Sequence, residues 1–103
     1  MNIKELRLII EKDNFQWRKH TLIRLAERSI AQGVILEVIL TGEVIEDYPQ
    51  DKPFPSCLIF KVIEGKPYHV VVSLDGECKK AYIITAYNPT LDKFETDFKT
   101  RRK

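Results

Sequence analysis

Residues 57–74 read CLIFKVIEGKPYHVVVSL, two runs rich in β-branched and aromatic residues parted by Glu64-Gly65-Lys66-Pro67. Branched and aromatic side chains pack well on a pleated, half-buried surface, and a Gly/Pro break between such runs marks a turn. Cys57–Ile63 and Tyr68–Leu74 are therefore expected to pair as antiparallel strands. Working outward, Glu43–Tyr48 alternates polar and apolar residues and reads as an earlier strand. Pro49, Pro53 and Pro55 mark the intervening loop, which also carries Phe54. Downstream, Asp75-Gly76 makes a turn, Ala81–Tyr87 is the fourth strand, and Asn88-Pro89 stops it. The connection over Asp75–Lys79 decides which faces meet, because an odd loop pairs positions of like parity and a two-residue loop opposes them. Glu77-Cys78-Lys79 is poor strand sequence, so an odd loop is expected, placing His69 with Ile83 and Thr85.

Upstream of residue 43 the period changes from two to that of a helix. Ile3, Leu6, Ile9 and Ile10 predict a helix over about residues 2–12, punctuated by Asp13-Asn14. Residues 19–28 form a second helical segment. Ser29-Ile30-Ala31-Gln32 then reads as a capping box, with Ser29 as N-cap of a third helix that buries Ile35, Val38 and Ile39. That helix should end at Thr41-Gly42, with glycine in a left-handed cap. At the other end, Leu91, Phe94 and Phe98 form a short amphipathic piece expected to fold back as a helical turn or two. Helices followed by an antiparallel four-stranded meander make an α+β domain, with one sheet face on the helices and the other accessible.

The 103 residues suffice for one domain with a modest core. A composition of 44% hydrophobic and 31% charged residues is that of an ordinary globular protein. No apolar run approaches the roughly 18 residues needed to span a bilayer, and the start at Met1-Asn2-Ile3-Lys4-Glu5 lacks the pattern of a signal peptide. Cys57 and Cys78 have no metal-ligand spacing and read as free thiols in a reducing cytoplasm. The net charge of +2 says little by itself, but its distribution says more. Residues 1–30 carry seven Lys and Arg against four acids, and the tail adds Lys99, Arg101, Arg102 and Lys103. Between them Glu37, Glu43, Glu46, Asp47 and Asp51 face only Lys52. The basic ends suit a phosphate backbone, while the acidic middle is either solvated surface or a face for a basic partner.

His20, Arg24 and Arg28 recur every four residues, so a helix stacks one imidazole and two guanidiniums along a single stripe. All three groups bind anions, and a titratable ring beside two permanent charges is the start of a phosphoryl-transfer site. The bland alternatives are a polar helix start for His20 and pairing of the arginines with Glu27 or acids across the fold. His69 stands inside a strong strand, where a lone histidine is more often structural than catalytic. Thr85 and Tyr87 offer hydroxyls at the end of the last strand, or serve as amphipathic packing. There is no phosphate-binding glycine loop, no paired-carboxylate metal motif and no nucleophile elbow. An inventory of His, Arg and Tyr without metal ligands or cofactor suits RNA cleavage in which the 2′-hydroxyl attacks the adjacent phosphate.

As a whole the string resembles the bacterial family labelled domain of unknown function 4258. The resemblance is carried by His20-x3-Arg24-x2-Glu27-Arg28-x-Ile30, by Gly42-Glu43-Val44-Ile45-Glu46-Asp47-Tyr48-Pro49 and by Lys52-Pro53-Phe54-Pro55-Ser56-Cys57-Leu58. It continues in His69-Val70-Val71-Val72, Ile84-Thr85-Ala86-Tyr87-Asn88-Pro89 and Phe94-Glu95-Thr96-Asp97-Phe98-Lys99-Thr100-Arg101-Arg102, so that it covers nearly all of residues 15–102. The family commonly has Gly where this chain has Ser29. The resemblance implies kinship with small toxin nucleases grouped around barnase, colicin D and RelE-like mRNA interferases. It further implies a toxin encoded beside an antitoxin, of zinc-finger type, that acts in the cytoplasm. By that resemblance His20, Arg24, Arg28, His69, Thr85 and Tyr87 form the site. His69 or His20 would serve as base, the other histidine or Tyr87 as acid, Arg24 and Arg28 as phosphate ligands, and Thr85 as an orienting hydroxyl. The competing expectation is a non-catalytic module that binds protein or RNA.

Overall fold

A computed structural model describes all 103 residues. Helix α1 (Ile3–Glu11) starts at Asn2, whose side-chain oxygen accepts the Glu5 amide at 3.1 Å, and buries Leu6, Ile9 and Ile10. A three-residue strand β1 (Phe15–Trp17) follows, then α2 (Lys19–Glu27) and α3 (Gln32–Thr41). Strands β2 (Glu43–Tyr48), β3 (Ser56–Ile63), β4 (Lys66–Asp75) and β5 (Lys80–Tyr87) complete one sheet of order β1-β5-β4-β3-β2. The sequence-based strands Glu43–Tyr48, Cys57–Ile63, Tyr68–Leu74 and Ala81–Tyr87 thus all form. The sheet is five-stranded and mixed, however, because β1 pairs parallel to β5 through Phe15–Ala81, Gln16–Tyr82 and Trp17–Ile83. A three-residue strand is too short to show a period, so no pattern in the sequence announces it.

Alternation along the strands sorts the side chains into two faces. Cys57 and Ile59 of β3, Tyr68, Val70, Val72 and Leu74 of β4, and Ala81, Ile83 and Ala86 of β5 join the buried residues of the three helices in one core. The opposite face carries Leu58, Phe60, His69 and Tyr87, and the chain after β5 folds across it. That closing segment, residues 89–102, consists of turns and one isolated bridge between Phe94 and Arg101, not the helical turns that the spacing of Leu91, Phe94 and Phe98 suggests. Asp97 accepts the amides of Lys99 and Thr100, each at 2.9 Å, and so bends the chain into a turn instead of letting it coil. The second sheet face is therefore partly covered.

Two cap assignments also change. Ser29 is not the N-cap of α3, a place taken by Ala31. It adopts φ 56° just beyond α2, where its amide bonds to Ala26 and that of Ile30 to Leu25, the two closing bonds of a left-handed helix stop. Gly42 is extended, with φ −82° and ψ −178°. It is glycine for a different reason: a Cβ would lie 2.5 Å from the Val38 carbonyl and 2.7 Å from that of Phe60. The backbones of α3 and β3 meet there too closely for any side chain.

The β4–β5 turn has four residues, so Leu74 faces Ala81 and Val72 faces Ile83, positions of unlike parity. A bulge at Ile84 then shifts the register, and beyond it Val71 faces Thr85 and His69 faces Tyr87. The like-parity pairing expected for His69 arises from this extra residue, not from the loop, and its partner is Tyr87. Bulges re-aim side chains in this way at the ends of sheets.

Candidate functional site

Strand β1 pairs only with the first half of β5, so Ile84–Tyr87 would form an open edge. Helix α2 lies along it. The buried Thr21 hydroxyl donates to the carbonyl of Ile84 at 2.6 Å, and one guanidinium nitrogen of Arg28 donates to that of Ala86 at 2.7 Å. Side chains of α2 and of its C-cap thereby satisfy strand carbonyls that a sixth strand would otherwise take. Thr21 and Leu25 point inward one turn apart, which sends His20 and Arg24, one position earlier in each turn, outward beside the bulge.

His20, Arg24, Arg28 and Thr85 line one hollow of about 340 Å³, with Thr21 and Ile84 as its floor. Arg28 also borders a larger hollow of about 500 Å³, which Tyr87 lines together with Asn88, Thr90, Lys93 and Arg101. No Asp or Glu lines either hollow. Nor does any carboxylate pair with Arg24, Arg28 or Lys93, since the ion pairs of the chain lie elsewhere. Arg28 has a guanidinium with five N–H donors, of which the bond to Ala86 uses one. The remainder are held by that bond in a fixed orientation at the junction of the two hollows. Hydroxyls and unpaired cations without a carboxylate make a cleft complementary to an anion with several oxygens.

Five of the six sequence-based site residues thus line this pair of hollows, and the sixth does not. His69 is wholly buried, enclosed by the rings of Phe60, Tyr87 and Phe94. Its Nε2 donates to the carbonyl of Phe98 at 2.6 Å, which leaves Nδ1 to accept from the Tyr87 hydroxyl at 3.3 Å. Burial lowers its pKa, against the opposing pull of the Phe98 carbonyl and of Glu46. A sealed ring with both nitrogens engaged cannot take a proton from a substrate hydroxyl, so the expectation that His69 is the reacting acid or base is corrected. Its place is behind Tyr87, whose hydroxyl it orients. Burial raises the Tyr87 pKa and keeps that hydroxyl protonated at neutral pH.

The closing segment supplies what sequence reasoning missed. The basic tail meets the acidic strand β2 of its own chain: Arg101 makes a two-pronged bond to Glu46 at 2.8 and 3.1 Å, and Lys99 pairs with Glu43 at 3.4 Å. The acidic stretch therefore has an internal basic partner. Lys93 is a site-lining cation that lies outside the His/Arg stripe, and no spacing rule joins it to α2. The two cysteines are free, Cys57 buried and Cys78 exposed. No group of three or more His, Cys, Asp and Glu side chains gathers in a metal-binding arrangement, and no helix is long and apolar enough to cross a membrane.

Residues 17–88 match the sequence profile of a family described as "Domain of unknown function (DUF4258)". The matched stretch runs from the last residue of β1 through β5 and contains His20, Arg24, Arg28, His69, Thr85 and Tyr87, but neither α1 nor the closing segment. No curated protein and no solved structure matches the chain.

Proposed function

The chain belongs to the family of domain of unknown function 4258, and within it we propose a metal-independent endoribonuclease, the toxin of a type II toxin–antitoxin pair. The observation that carries the chemistry is the acid-free hollow shared by His20, Arg24, Arg28 and Thr85, next to which Arg28 also lines the hollow of Tyr87. His20, as the exposed imidazole, takes the proton of the 2′-hydroxyl. The 2′-oxygen forms its bond to phosphorus while the bond to the 5′-oxygen breaks. Arg24 and Arg28 offset the charge that grows on the phosphorane oxygens, and Thr85 donates to one of them. Tyr87, turning its hydroxyl from Nδ1 of His69 into the hollow that it lines with Arg28 and Arg101, protonates the departing 5′-oxygen. The products are a 2′,3′-cyclic phosphate and a 5′-hydroxyl end.

The toxin role rests on the family resemblance, as does a zinc-finger antitoxin as partner in the cytoplasm. Inducing the gene in a bacterial host, with and without the product of the neighbouring reading frame, tests it. The expected result is growth arrest with new RNA ends bearing 5′-hydroxyls, relieved by the neighbour. Unimpaired growth with intact RNA and folded, abundant protein would refute the toxin. RNA retained by the protein without cutting would assign the groove to binding alone.

A further inference from the structure

The larger hollow enters the chemistry above only through Tyr87 and Arg28, yet it is the more built of the two. Its free cation is Lys93, whose backbone is fixed on both sides: its amide bonds to the Thr90 carbonyl at 3.2 Å, and its own carbonyl accepts the Arg102 amide at 2.9 Å. Phe94 forms the floor and is held under the Arg101 guanidinium, 5.0 Å from the ring centre. Arg101 itself is neutralised by Glu46, so the uncompensated charges facing this space are Lys93 and Arg28. Arg28 faces both hollows and stands between them.

We propose that the hollow between Arg28 and Lys93 is a second phosphate subsite, taking the phosphate next to the scissile one in a single-stranded RNA. This deepens the nuclease reading and rests on it for the identity of the first phosphate. Two anion-binding hollows joined by one shared guanidinium fit a polyanion with regularly spaced charges, and they leave a mononucleotide half unbound. The substrate class is therefore an oligoribonucleotide of at least two linkages, with the half-buried Tyr87 ring beside the nucleoside between them.

The test uses uncleavable 2′-O-methyl oligouridylates with one, two or four phosphates, titrated into the full chain at several salt concentrations. Each phosphate contact on a single strand contributes about −0.7 to the slope of log K against log salt. The second phosphate should tighten binding and steepen the slope by about that amount. Lys93→Gln should abolish the gain and Lys93→Arg should restore it, while the one-phosphate probe binds both variants as it binds the parent. Because Lys93 is exposed and free of ion pairs, the variant folds, and melting curves verify this. Equal slopes for Lys93→Gln and parent on every probe would overturn the subsite, as would an oligoglutamate of the same charge binding as tightly with the same dependence on Lys93. A Lys93-dependent gain in a protein that cuts no RNA keeps the subsite and removes the nuclease. Cleavage that ignores Lys93 and the neighbouring phosphate does the reverse.

Discussion

The hydroxyl of Tyr87 lies 3.3 Å from Nδ1 of His69, which is bound through its other nitrogen to the carbonyl of Phe98. This chain of bonds runs from the closing segment, through the covered part of the second sheet face, to the wall of the larger hollow. It gives the two histidines of the molecule opposite characters, one enclosed and one on the surface.

Replacing them by alanine should separate these characters. His69→Ala leaves a cavity and strips a partner from a carbonyl and a hydroxyl, at a cost of about 2–5 kcal/mol. His20→Ala removes an exposed ring and should stay within about 0.5 kcal/mol of the parent. Urea denaturation of both variants measures this. A His69→Ala protein as stable as the parent would show that the ring is not the pin that the geometry makes it.

Acid should release the closing segment before it melts the helical core. The hydrogen bonds of Arg101 hold Glu46 below its usual range, partly against burial, and Tyr48 adds to the effect. The amides of Thr100 and Lys99 hold Asp97 down to about 2. A carboxylate whose folded pKa lies below its unfolded one stabilises the fold above the unfolded value, and that contribution fades as pH falls through the folded one. For His69, burial lowers the folded pKa below 6.5. The unfolded chain therefore takes up the proton first, and stability again declines as pH drops from that value. All three shifts act in one direction between neutrality and pH 2. The protection of the Phe98, Thr100 and Arg102 amides, taken relative to their intrinsic exchange rate at each pH, should fall on acidification while Val70 and Val72 stay protected. Uniform loss of protection would contradict the account.

Ser29→Gly should stabilise the protein. Serine in a left-handed conformation is strained by about 1–2 kcal/mol, part of which glycine gives back as unfolded-state entropy. The net gain should be about 0.5–1 kcal/mol, a rise of about 2–8 °C in Tm. Gly42→Ala should do the opposite, by about 3 kcal/mol, because the two carbonyls its methyl meets are backbone and cannot swing aside. Calorimetry of the two variants checks both signs.

What could be read from the sequence follows from the range of the interactions involved. Strands β2 to β5 and all three helices are written in local periods, and so is the stripe of His20, Arg24 and Arg28 along α2. Strand β1 exists only because β5 offers it an edge from which it is separated by most of the chain. The aromatic spacing at Leu91, Phe94 and Phe98 imitates a helix, but Asp97 binds the local amides first, and Glu43 and Glu46 hold the result flat against β2. The sealing of His69 depends on that same segment, which is why a strand histidine next to a tyrosine could be read as reactive. The bulge at Ile84, which sets Thr85 opposite Val71 and Tyr87 opposite His69, has no signature in the residues around it.

The nuclease chemistry of the His20/Arg24 hollow is tested by cleavage of a short oligoribonucleotide carrying one ribose among deoxyriboses, with the parent, His20→Ala and Arg24→Gln compared under identical conditions. Cutting is expected only after the ribose, with products ending in a 2′,3′-cyclic phosphate and a rate reduced about 10²–10³-fold in each variant at unchanged Tm, the size seen when one transition-state contact is removed. Cleavage by His20→Ala at the parental rate, or no cleavage by a folded parent, would contradict it.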